Sequence, residues 1–271
     1  MLDSRYANAF LSKGSLPAEV WDCHGHLDAV RYQYIPGGAD ARSLVEFMDR
    51  VGMRSLCVSH HLVVTGDLEE GNRRACDAAE QFAGRIRVYL GFNLNYGAEY
   101  SIAELDRHVG KAGVVGIKFH TTTHVSHPDD PRYRPAFEYA RDYGLVILSH
   151  TWGTRDISGV ETMVREFPTV PFIIGHSGGY EFAAIYEAAR VARENANAYL
   201  DLCLSGMFDG EVELLVKEAG AKKVLFGSDI PFMDPRPNLG RVLLARVSDP
   251  DKERILGLNL KELLEAPRPR S

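Results

Sequence analysis

The chain concentrates histidine where short hydrophobic runs end. It has ten histidines among 271 residues, and seven of them close or directly follow runs rich in Val, Ile, Leu and Phe. The first such segment, DCHGHLD, carries His24 and His26, and later runs end in His150, His176 and Asp229. Imidazole nitrogen and carboxylate oxygen are the ligands that Zn²⁺ and similar divalent ions take from proteins. These residue types indicate a metal-binding enzyme site, provided that the segments meet in space.

The pair His24 and His26 has the spacing of two ligands on one strand. Residues i and i+2 of a strand point to the same face, with Cα atoms ~6.5 Å apart. From there both imidazoles can reach one ion at about 2.0–2.1 Å. An H-x-H pair alone is also typical of two polar residues in a strand. The metal-site interpretation therefore depends on His150, His176 and Asp229 lying at further strand ends.

Hydrophobic runs and helical patterns alternate eight times, which predicts an α/β fold made of a single (β/α)8 TIM barrel. The C-terminal strand ends of such a barrel meet at one face, where the metal site would lie. An open doubly wound sheet is the competing fold, but the chain lacks the G-x-G-x-x-G segment that often follows its first strand. The predicted strands are Val20–Asp28, Ser55–His61, Ile86–Asn95, Val114–Thr121, Leu145–Trp152, Val170–Gly178, Tyr199–Ser205 and Val224–Phe232.

Apolar residues at helical spacing predict the intervening helices. Helices are expected over Ala41–Val51, Pro135–Tyr143 and Glu211–Ala219, among others. Ser101 and Glu104 have the spacing of a capping box, which predicts that a helix starts at Ser101.

Composition limits the class of protein. The formal net charge of −6 and the pI near 5.9 argue against a surface that binds nucleic acid. No apolar run is long enough to span a membrane, no signal-peptide pattern opens the chain, and none of the four cysteines has C-x-x-C spacing. We expect a reduced, cytoplasmic protein forming one domain over residues 1–271. An N-terminal extension (1–18) and a C-terminal tail (266–271) are expected to be peripheral.

The order of the motifs resembles the amidohydrolase superfamily, in particular the amidohydrolase-related group that includes aminocarboxymuconate-type decarboxylases. The resemblance rests on H-x-H in the first strand, GIKFH in the fourth and a histidine ending the fifth. It also rests on GHSGG after the sixth strand, GSDIP after the eighth, and ILGLN near the C-terminus. These motifs span residues 20 to 260, which is nearly the whole chain.

The resemblance implies a role for each matching residue. His24, His26, His150 and Asp229 correspond to ligands of one divalent ion, Zn²⁺ or another such as Mn²⁺. His176 corresponds to the residue that orients or deprotonates a metal-bound water. Asp229 also corresponds to a general base and proton shuttle. Zn²⁺ lowers the pKa of bound water to about 7, so this residue set suits hydrolysis at neutral pH.

Lys118 and His120 lie in GIKFH, and their roles stay open at this stage. Some amidohydrolases carry a carboxylated lysine in this strand that bridges two metals. Lys118 lies two residues before the strand end, which favours a buried lysine paired with a carboxylate. His120 then binds substrate or a second ion, so the centre is expected to hold one ion, with two as the alternative.

The remaining polar residues have two interpretations each. His60 or His61 contacts substrate, or both are polar strand ends. Asp22 and Asp28 support the ligands or cap local turns. Arg155 and Arg236 hold a substrate carboxylate or lie at the surface, which we expect for each singly. His108 is expected on a helix surface and His124 and His127 in solvent. Cys23 is expected to pack away from the H-x-H face, and the other cysteines in the core.

The leading functional hypothesis is a metal-dependent hydrolase that cleaves an amide, lactone or ester bond of a small molecule. The alternative is a non-oxidative, metal-dependent decarboxylase of a small unsaturated or aromatic acid. A TatD-like nuclease and a non-catalytic metal-binding barrel are less favoured, because of the acidic pI and because a structural ion prefers a closed ligand shell. The expected partner is a small-molecule substrate, without nucleic acid or membrane, and family resemblance suggests a homodimer.

Overall fold

Eight parallel strands follow one another around one sheet. The computed structural model describes residues 4–12, 14–28, 37–203 and 208–266. Each strand pairs in parallel with the next one along the chain, in the order β1 to β8. The strands are β1 (Val20–Leu27), β2 (Met53–His60), β3 (Ile86–Gly91), β4 (Val114–His120), β5 (Val146–His150), β6 (Phe172–Gly175), β7 (Ala198–Asp201) and β8 (Val224–Leu225).

The sheet closes between β1 and the segment that follows β8. The amide of Cys23 donates to the Phe226 carbonyl at 2.9 Å, and the amide of His26 donates to the Ile230 carbonyl at 2.7 Å. Gly25 and Ile230 form a parallel bridge. The predicted single (β/α)8 barrel is therefore confirmed.

Helices follow the strands on the outside of the barrel. Their apolar faces and the outward side chains of the strands form the larger hydrophobic core. The helices are α1 (Arg5–Leu11), α2 (Ala41–Val51), α3 (His61–Thr65), α4 (Leu68–Gln81), α5 (Ala98–His108), α6 (Thr121–His124), α7 (Arg134–Tyr143), α8 (Gly153–Glu166), α9 (Phe182–Glu194), α10 (Glu211–Ala219), α11 (Pro235–Leu244), α12 (Asp249–Glu253) and α13 (Asn259–Glu265).

Several predicted strands extend too far at their C-terminal ends. The sixth was expected to reach Gly178 but ends at Gly175, because His176 has a left-handed backbone with φ of 61°. The eighth was expected to reach Phe232, but its ladder ends at Leu225 and Asp229 also has a positive φ, of 62°. Hydrophobic runs predict where a strand lies and do not detect the turns that end it.

The predicted helix start at Ser101 is wrong. Helix α5 begins at Ala98, directly after Gly97, whose φ of 84° makes the turn into the helix. Ser101 is buried inside α5 and donates to the Asn93 carbonyl at 3.1 Å. Glu104 accepts from His108, one turn further along the same helix. Ser101 therefore makes a contact outside the helix, and Glu104 makes one within it.

A smaller hydrophobic cluster fills the barrel interior. It includes Trp21, Cys57, Tyr89 and Leu148, and Cys23 belongs to it as well. The expectation that Cys23 faces away from the histidine side is therefore wrong. The register of β1 against β2 shifts between Asp22 and Gly25, and this irregularity breaks the alternation on which the expectation depended.

The first and the last helix, α1 and α13, both pack against the rest of the protein. Helix α1, in the expected N-terminal extension, buries Tyr6 completely, and Lys252 donates to the Ser4 hydroxyl at 3.0 Å. Leu260 of α13 joins the cluster of the barrel interior. Residues 267–271 of the predicted tail lie outside the described residues. None of the helices in the described ranges has the length and apolar character needed to cross a bilayer.

Candidate metal centre

Three of the predicted ligands converge at the C-terminal end of the barrel. His24 and His26 come from the end of β1, and Asp229 comes from the turn after β8. Asp229 Oδ1 lies 3.2 Å from His26 Nε2 and 3.8 Å from His24 Nε2. Ligand atoms of all three residues lie within 4.8 Å of one another. Closure of the barrel explains the convergence, because the Asp229 amide donates to the His24 carbonyl at 2.8 Å.

The second ring nitrogens of both histidines are held by neighbours. His24 Nδ1 lies 2.6 Å from Asp201 Oδ2, and His26 Nδ1 lies 3.1 Å from the Ser59 hydroxyl. This arrangement leaves both Nε2 atoms on the Asp229 side. Histidines that bind a metal usually donate their other N–H to such a partner, which sets the tautomer and the ring orientation. Two imidazole nitrogens and one carboxylate oxygen fit a divalent transition ion.

Asp201 is a residue of the site that sequence reasoning missed. It ends β7 and is completely buried. Its two oxygens accept from His24 Nδ1, from the His176 amide at 3.3 Å and from the Cys203 amide at 2.9 Å. Gly227 makes room for it, since a Cβ there would lie 1.9 Å from Asp201 Oδ1. The available signal was an aspartate that ends a hydrophobic strand, YLD, at the same barrel face as the histidines.

His150 and His176 form a second pair beside the first group. His150 Nδ1 lies 2.9 Å from His176 Nε2, and His176 Nδ1 lies 2.7 Å from the Cys203 carbonyl. A carbonyl only accepts, so His176 carries its proton on Nδ1 and accepts from His150 through Nε2. His150 is then left with an unprotonated Nε2, the form that binds metal. Its role as the fourth ligand stays a prediction, because its nitrogens do not join the group of His24, His26 and Asp229.

Lys118 faces the barrel interior, as its strand parity predicts. It is buried, and its Nζ lies 2.8 Å from His24 Nε2. The expected ion pair with a carboxylate is absent among the described residues, so this expectation is wrong. The inward strand position places Lys118 beside His24, and burial lowers its pKa.

His120 lies at the end of β4, next to β5. Its ring stacks on that of His150, with centroids 4.2 Å apart and planes within 10°. Strand register explains the stack, since His120 and His150 are direct neighbours across the sheet. His120 therefore lines the same end of the barrel, where a role toward substrate or a second ion stays a prediction.

A second group of metal-type ligands consists of His24, His176 and Cys203. The Cys203 sulfur lies 3.1 Å from the Nδ1 atoms of both histidines. Both of those nitrogens already bond oxygen atoms, of Asp201 and of the Cys203 carbonyl. Burial and the charge of Asp201 raise the pKa of the Cys203 thiol well above its usual range. The group that contains Asp229 is therefore the better candidate centre.

The electrostatics suit neutral imidazole ligands. Burial lowers the pKa of His24, His26 and His150, and the charge of Lys118 adds to the effect on His24. Burial alone would raise the pKa of Asp229, but a hydrogen bond from His26 and the neighbouring imidazoles bring it below its usual value. Neutral nitrogen donors beside an ionised carboxylate are the protonation states that a metal ion requires.

Asp22 supports the backbone of the centre. Its Oδ1 accepts from the His24 amide at 2.9 Å and from the Ser228 amide at 3.1 Å. Complete burial raises its pKa to about 8, against the lowering effect of these hydrogen bonds. Of the two roles considered for Asp22, the structure therefore favours support of the ligand strand.

His60 and His61 both lie at the same end of the barrel, although their side chains differ in environment. His60 bonds Asp28 Oδ2 at 2.9 Å, and Arg74 bonds the same oxygen at 3.2 Å. His61 opens α3, and its ring stacks on that of His26 with centroids 4.6 Å apart. Burial and the nearby His26 lower the pKa of His61 to about 3. The strand-alternation rule stops applying at His61, because the helix begins there.

Three histidines are less exposed than expected or have partners that the sequence does not indicate. His108 is buried and lies 2.8 Å from Glu104, so its expected surface position is wrong. His124 is buried as well, against the Tyr133 hydroxyl at 2.5 Å. His127 is half-exposed and bonds Asp156 at 2.6 Å.

Both arginines that were considered for substrate binding form an ion pair with a nearby aspartate. Arg155 pairs with Asp129 at 2.8 Å, and Arg236 pairs with Asp234. Both side chains are more than half exposed. The surface interpretation of Arg155 and Arg236 therefore agrees with the structure.

An aromatic side chain borders the centre on the β5 side. The Trp152 ring lies parallel to the His150 ring, with planes within 3° and centroids 5.7 Å apart. Tyr180 packs edge-on against Trp152 at 4.8 Å. The buried Asp156 holds the Trp152 amide at 2.8 Å, and Gly179 leaves the space that the indole ring needs.

Closed barrel geometry together with a histidine and aspartate cluster at the strand ends defines a TIM-barrel enzyme with a candidate metal centre. A family model described as amidohydrolase matches residues 21–265. The chain belongs to this family, which confirms the resemblance inferred from its motifs. No curated protein sequence matches the chain.

Solved structures with the same fold include several decarboxylases. The chain is similar to 2,6-dihydroxybenzoate decarboxylase from Rhizobium (13% identity, TM-score 0.70), covering 92% of this chain and 99% of that one. It is similar to 5-carboxyvanillate decarboxylase from Sphingomonas paucimobilis (14%, 0.73), covering 91% and 98%. It is also similar to a dihydroxybenzoic acid decarboxylase from Polaromonas (17%, 0.69), covering 93% and 98%, which has bound manganese and the inhibitor 2-nitroresorcinol.

Proposed function

We propose that the protein is a metal-dependent decarboxylase of a small aromatic or unsaturated carboxylic acid. Membership in the amidohydrolase family and the candidate metal centre support the proposal. The three similar structures are named as decarboxylases. Their sequence identity to this chain is low, so the likeness shows a shared fold. This proposal prefers the alternative of the sequence analysis over hydrolysis, which no finding confirms.

The observation that carries the proposal is a stack of parallel rings beside the centre. The rings of His120, His150 and Trp152 lie within 10° of parallel for each neighbouring pair. Trp152 is 39% exposed, so part of its ring surface remains open to a ligand. Aromatic side chains bind flat groups by offset stacking or edge contacts. A planar aromatic or unsaturated acid therefore suits this wall.

His24, His26 and Asp229 would hold the ion, with His150 as the predicted fourth ligand. When bound, a divalent ion supplies positive charge that holds and polarises an anionic group of the substrate. Decarboxylation breaks the bond to the carboxyl carbon, releases CO₂ and requires one proton on the carbon left behind. Asp229 is ionised in the free centre, so it is assigned to take up the proton that the reaction consumes and to pass it to this carbon. The net reaction consumes one proton and no water.

The test loads the purified full chain with Zn²⁺ or Mn²⁺ and offers 2,6-dihydroxybenzoate, 5-carboxyvanillate, a lactone and an N-acyl amino acid. CO₂ release equal to product formation is expected with an aromatic acid. We expect Asp229→Asn to lower the rate about 10²–10⁴-fold and His24→Ala to lose bound metal by elemental analysis. Asp77→Asn, on the exposed side of α4, is the control and should match the unchanged protein.

Cleavage of the lactone or the amide without CO₂ release would contradict the proposal and support hydrolysis. Full activity of Asp229→Asn on a decarboxylated acid would instead overturn the assignment of the proton donor.

A further inference from the structure

His61 is a buried histidine of the centre that the proposed function does not use. It is the first residue of α3, directly after β2, and it is 4% exposed. Its ring lies within 14° of parallel to the His26 ring, and the Phe232 ring packs edge-on against it, with centroids 4.1 Å apart. These contacts hold the His61 ring in one orientation beside a candidate metal ligand.

The two ring nitrogens of His61 have different surroundings. Nδ1 bonds the backbone carbonyl of Asp28. A carbonyl oxygen can only accept, so the proton of the neutral ring lies on Nδ1 and Nε2 carries a lone pair. Nε2 is buried, and no hydrogen-bond partner for it exists among the described residues. Nε2 of His61 is therefore a hydrogen-bond acceptor that has no partner among the described residues.

The carbonyl that sets this tautomer is itself fixed. Asp28 has a left-handed backbone with φ of 64°, and its side chain is held by His60 at 2.9 Å and Arg74 at 3.2 Å. Position and tautomer of the His61 ring are thus arranged before any ligand arrives. Buried acceptors are nearly always paired in native proteins, and an unpaired one in a binding site requires a donor from the ligand or from water.

We propose that His61 is a positioning residue whose Nε2 accepts a hydrogen bond from a substrate hydroxyl beside the candidate metal centre. A lone pair attracts an O–H or N–H group and disfavours a carboxylate or an ether oxygen at the same place. The residue would thereby select substrates that carry a hydroxyl group. The inference concerns the site of the proposed function and does not need the reaction to be decarboxylation.

The experiment uses the zinc-loaded full chain with ¹⁵N-labelled histidine and two probes, phenol and anisole. Phenol donates a hydrogen bond, whereas anisole has nearly the same shape and cannot donate. The His61 signals are assigned by their absence in His61→Phe, which keeps an aromatic ring for the stacking contacts. We expect the free protein to show an unprotonated Nε2, and this signal to shift with phenol and not with anisole. Phenol should bind about tenfold more tightly, as expected for one hydrogen bond.

His61→Phe is expected to bind the two probes equally. The matched control is His108→Phe. His108 is another buried histidine, and its Nδ1 has no partner among the described residues, but it lies at the C-terminal end of α5, away from the strand ends that carry the centre. His108→Phe should keep the preference for phenol. A protonated Nε2 in the free protein, an Nε2 signal that ignores phenol, or an unchanged preference in His61→Phe would each overturn the proposal. None of these outcomes depends on whether any acid is decarboxylated, so failure of the proposed function is recognised separately.

Discussion

Each ligand histidine of the candidate centre is oriented by a partner at its second nitrogen. Asp201 holds His24, and Ser59 holds His26. These partners determine which nitrogen carries the proton and therefore which nitrogen can bind a metal. At the scale of single residues, we therefore expect the proposed function to depend on Asp201 as well as on His24, the ligand that it orients.

We expect Asp201→Asn to weaken metal binding about 10- to 100-fold. Both oxygens of Asp201 accept hydrogen bonds from N–H groups. An amide would place its NH₂ group against one of these donors in either orientation, and the His24 ring would lose its fixed position. The measurement is competition for Zn²⁺ with a chelator of known affinity. Unchanged affinity would show that His24 needs no orienting partner.

Asp22→Asn is the matched control at the same scale, and we expect it to change metal affinity less than about threefold. Only one oxygen of Asp22 accepts, from the His24 and Ser228 amides, and the other has no partner among the described residues. Burial raises the pKa of Asp22 to about 8, so at pH 7 the group is a neutral acid that an amide can replace. A large loss of affinity would mean that Asp22 acts as a charge.

At the scale of elements, the turns after the strands determine where the site side chains lie. Asp28, His176 and Asp229 have positive φ values, of 64°, 61° and 62°. Such backbone is costly for residues other than glycine and clusters at functional sites. Here it turns the chain directly after β1 and β6 and in the segment that follows β8, and it directs the residues of these turns into one region.

Gly227→Ala tests the fit between the turn after β8 and the end of β7. The added methyl would lie 1.9 Å from Asp201 Oδ1, so the carboxyl group or the turn must shift. We expect the free energy of unfolding to fall by about 1–3 kcal/mol and the metal affinity to fall with it. Gly110→Ala, where a Cβ would meet nothing within 4 Å, should change stability by less than about 0.5 kcal/mol. Equal effects of the two variants in urea unfolding would contradict this.

Glu211, at the start of α10, makes stability depend on pH. It is buried, with Arg241 3.8 Å away, and burial raises its pKa from 4.5 to about 7. Between these two values the unfolded chain releases the proton and the folded chain retains it. The contribution of this group to stability is therefore complete below pH 4.5, declines as pH rises to about 7, and stays low above it.

We expect Glu211→Gln to gain about 1–3 kcal/mol of unfolding free energy relative to wild type at pH 8. The gain should be much smaller at pH 5, where the folded glutamic acid is still protonated. Urea unfolding of both proteins at the two pH values measures the difference. Parallel pH profiles would mean that Arg241 compensates the buried charge.

At the scale of the whole molecule, we expect the two ends of the barrel to have separate roles. The candidate centre lies at the C-terminal strand ends, and α13 packs at the start of β1, where Leu260 joins the interior cluster with Trp21. In TIM barrels the C-terminal ends of the strands carry the functional residues, and the N-terminal ends contribute mainly to stability. Substitutions at α13 should therefore change stability and leave metal binding intact.

Leu260→Ala is expected to lower the free energy of unfolding by about 2–5 kcal/mol, because it leaves a cavity in the interior cluster near the start of β1. The folded protein should still bind metal in the same ratio, as measured by elemental analysis. Leu244→Ala removes a leucine that is 38% exposed and should cost less than about 1 kcal/mol. Loss of metal from folded Leu260→Ala would show that the two ends are coupled.

Several features of the fold and site followed from local sequence patterns. The alternation of hydrophobic runs and helices predicted the barrel, and the end of β1 predicted His24 and His26 as one group. Asp229 could be added because parallel strands in a barrel must bring their C-terminal ends together. These inferences need only the order of the elements and the parity of each strand.

The sequence by itself determined the barrel and the family and predicted the end of the barrel that would carry the site, because these depend on periodicity and on short motifs. Only the tertiary structure decided that Asp201 orients His24, that His61 stacks on His26, that Lys118 contacts His24 and not a carboxylate, and that Cys23 faces inward. Each of these depends on contacts between distant segments or on an irregularity such as the register shift in β1. Local pattern cannot specify them, because a shift of one residue or a single turn redirects a side chain to another face.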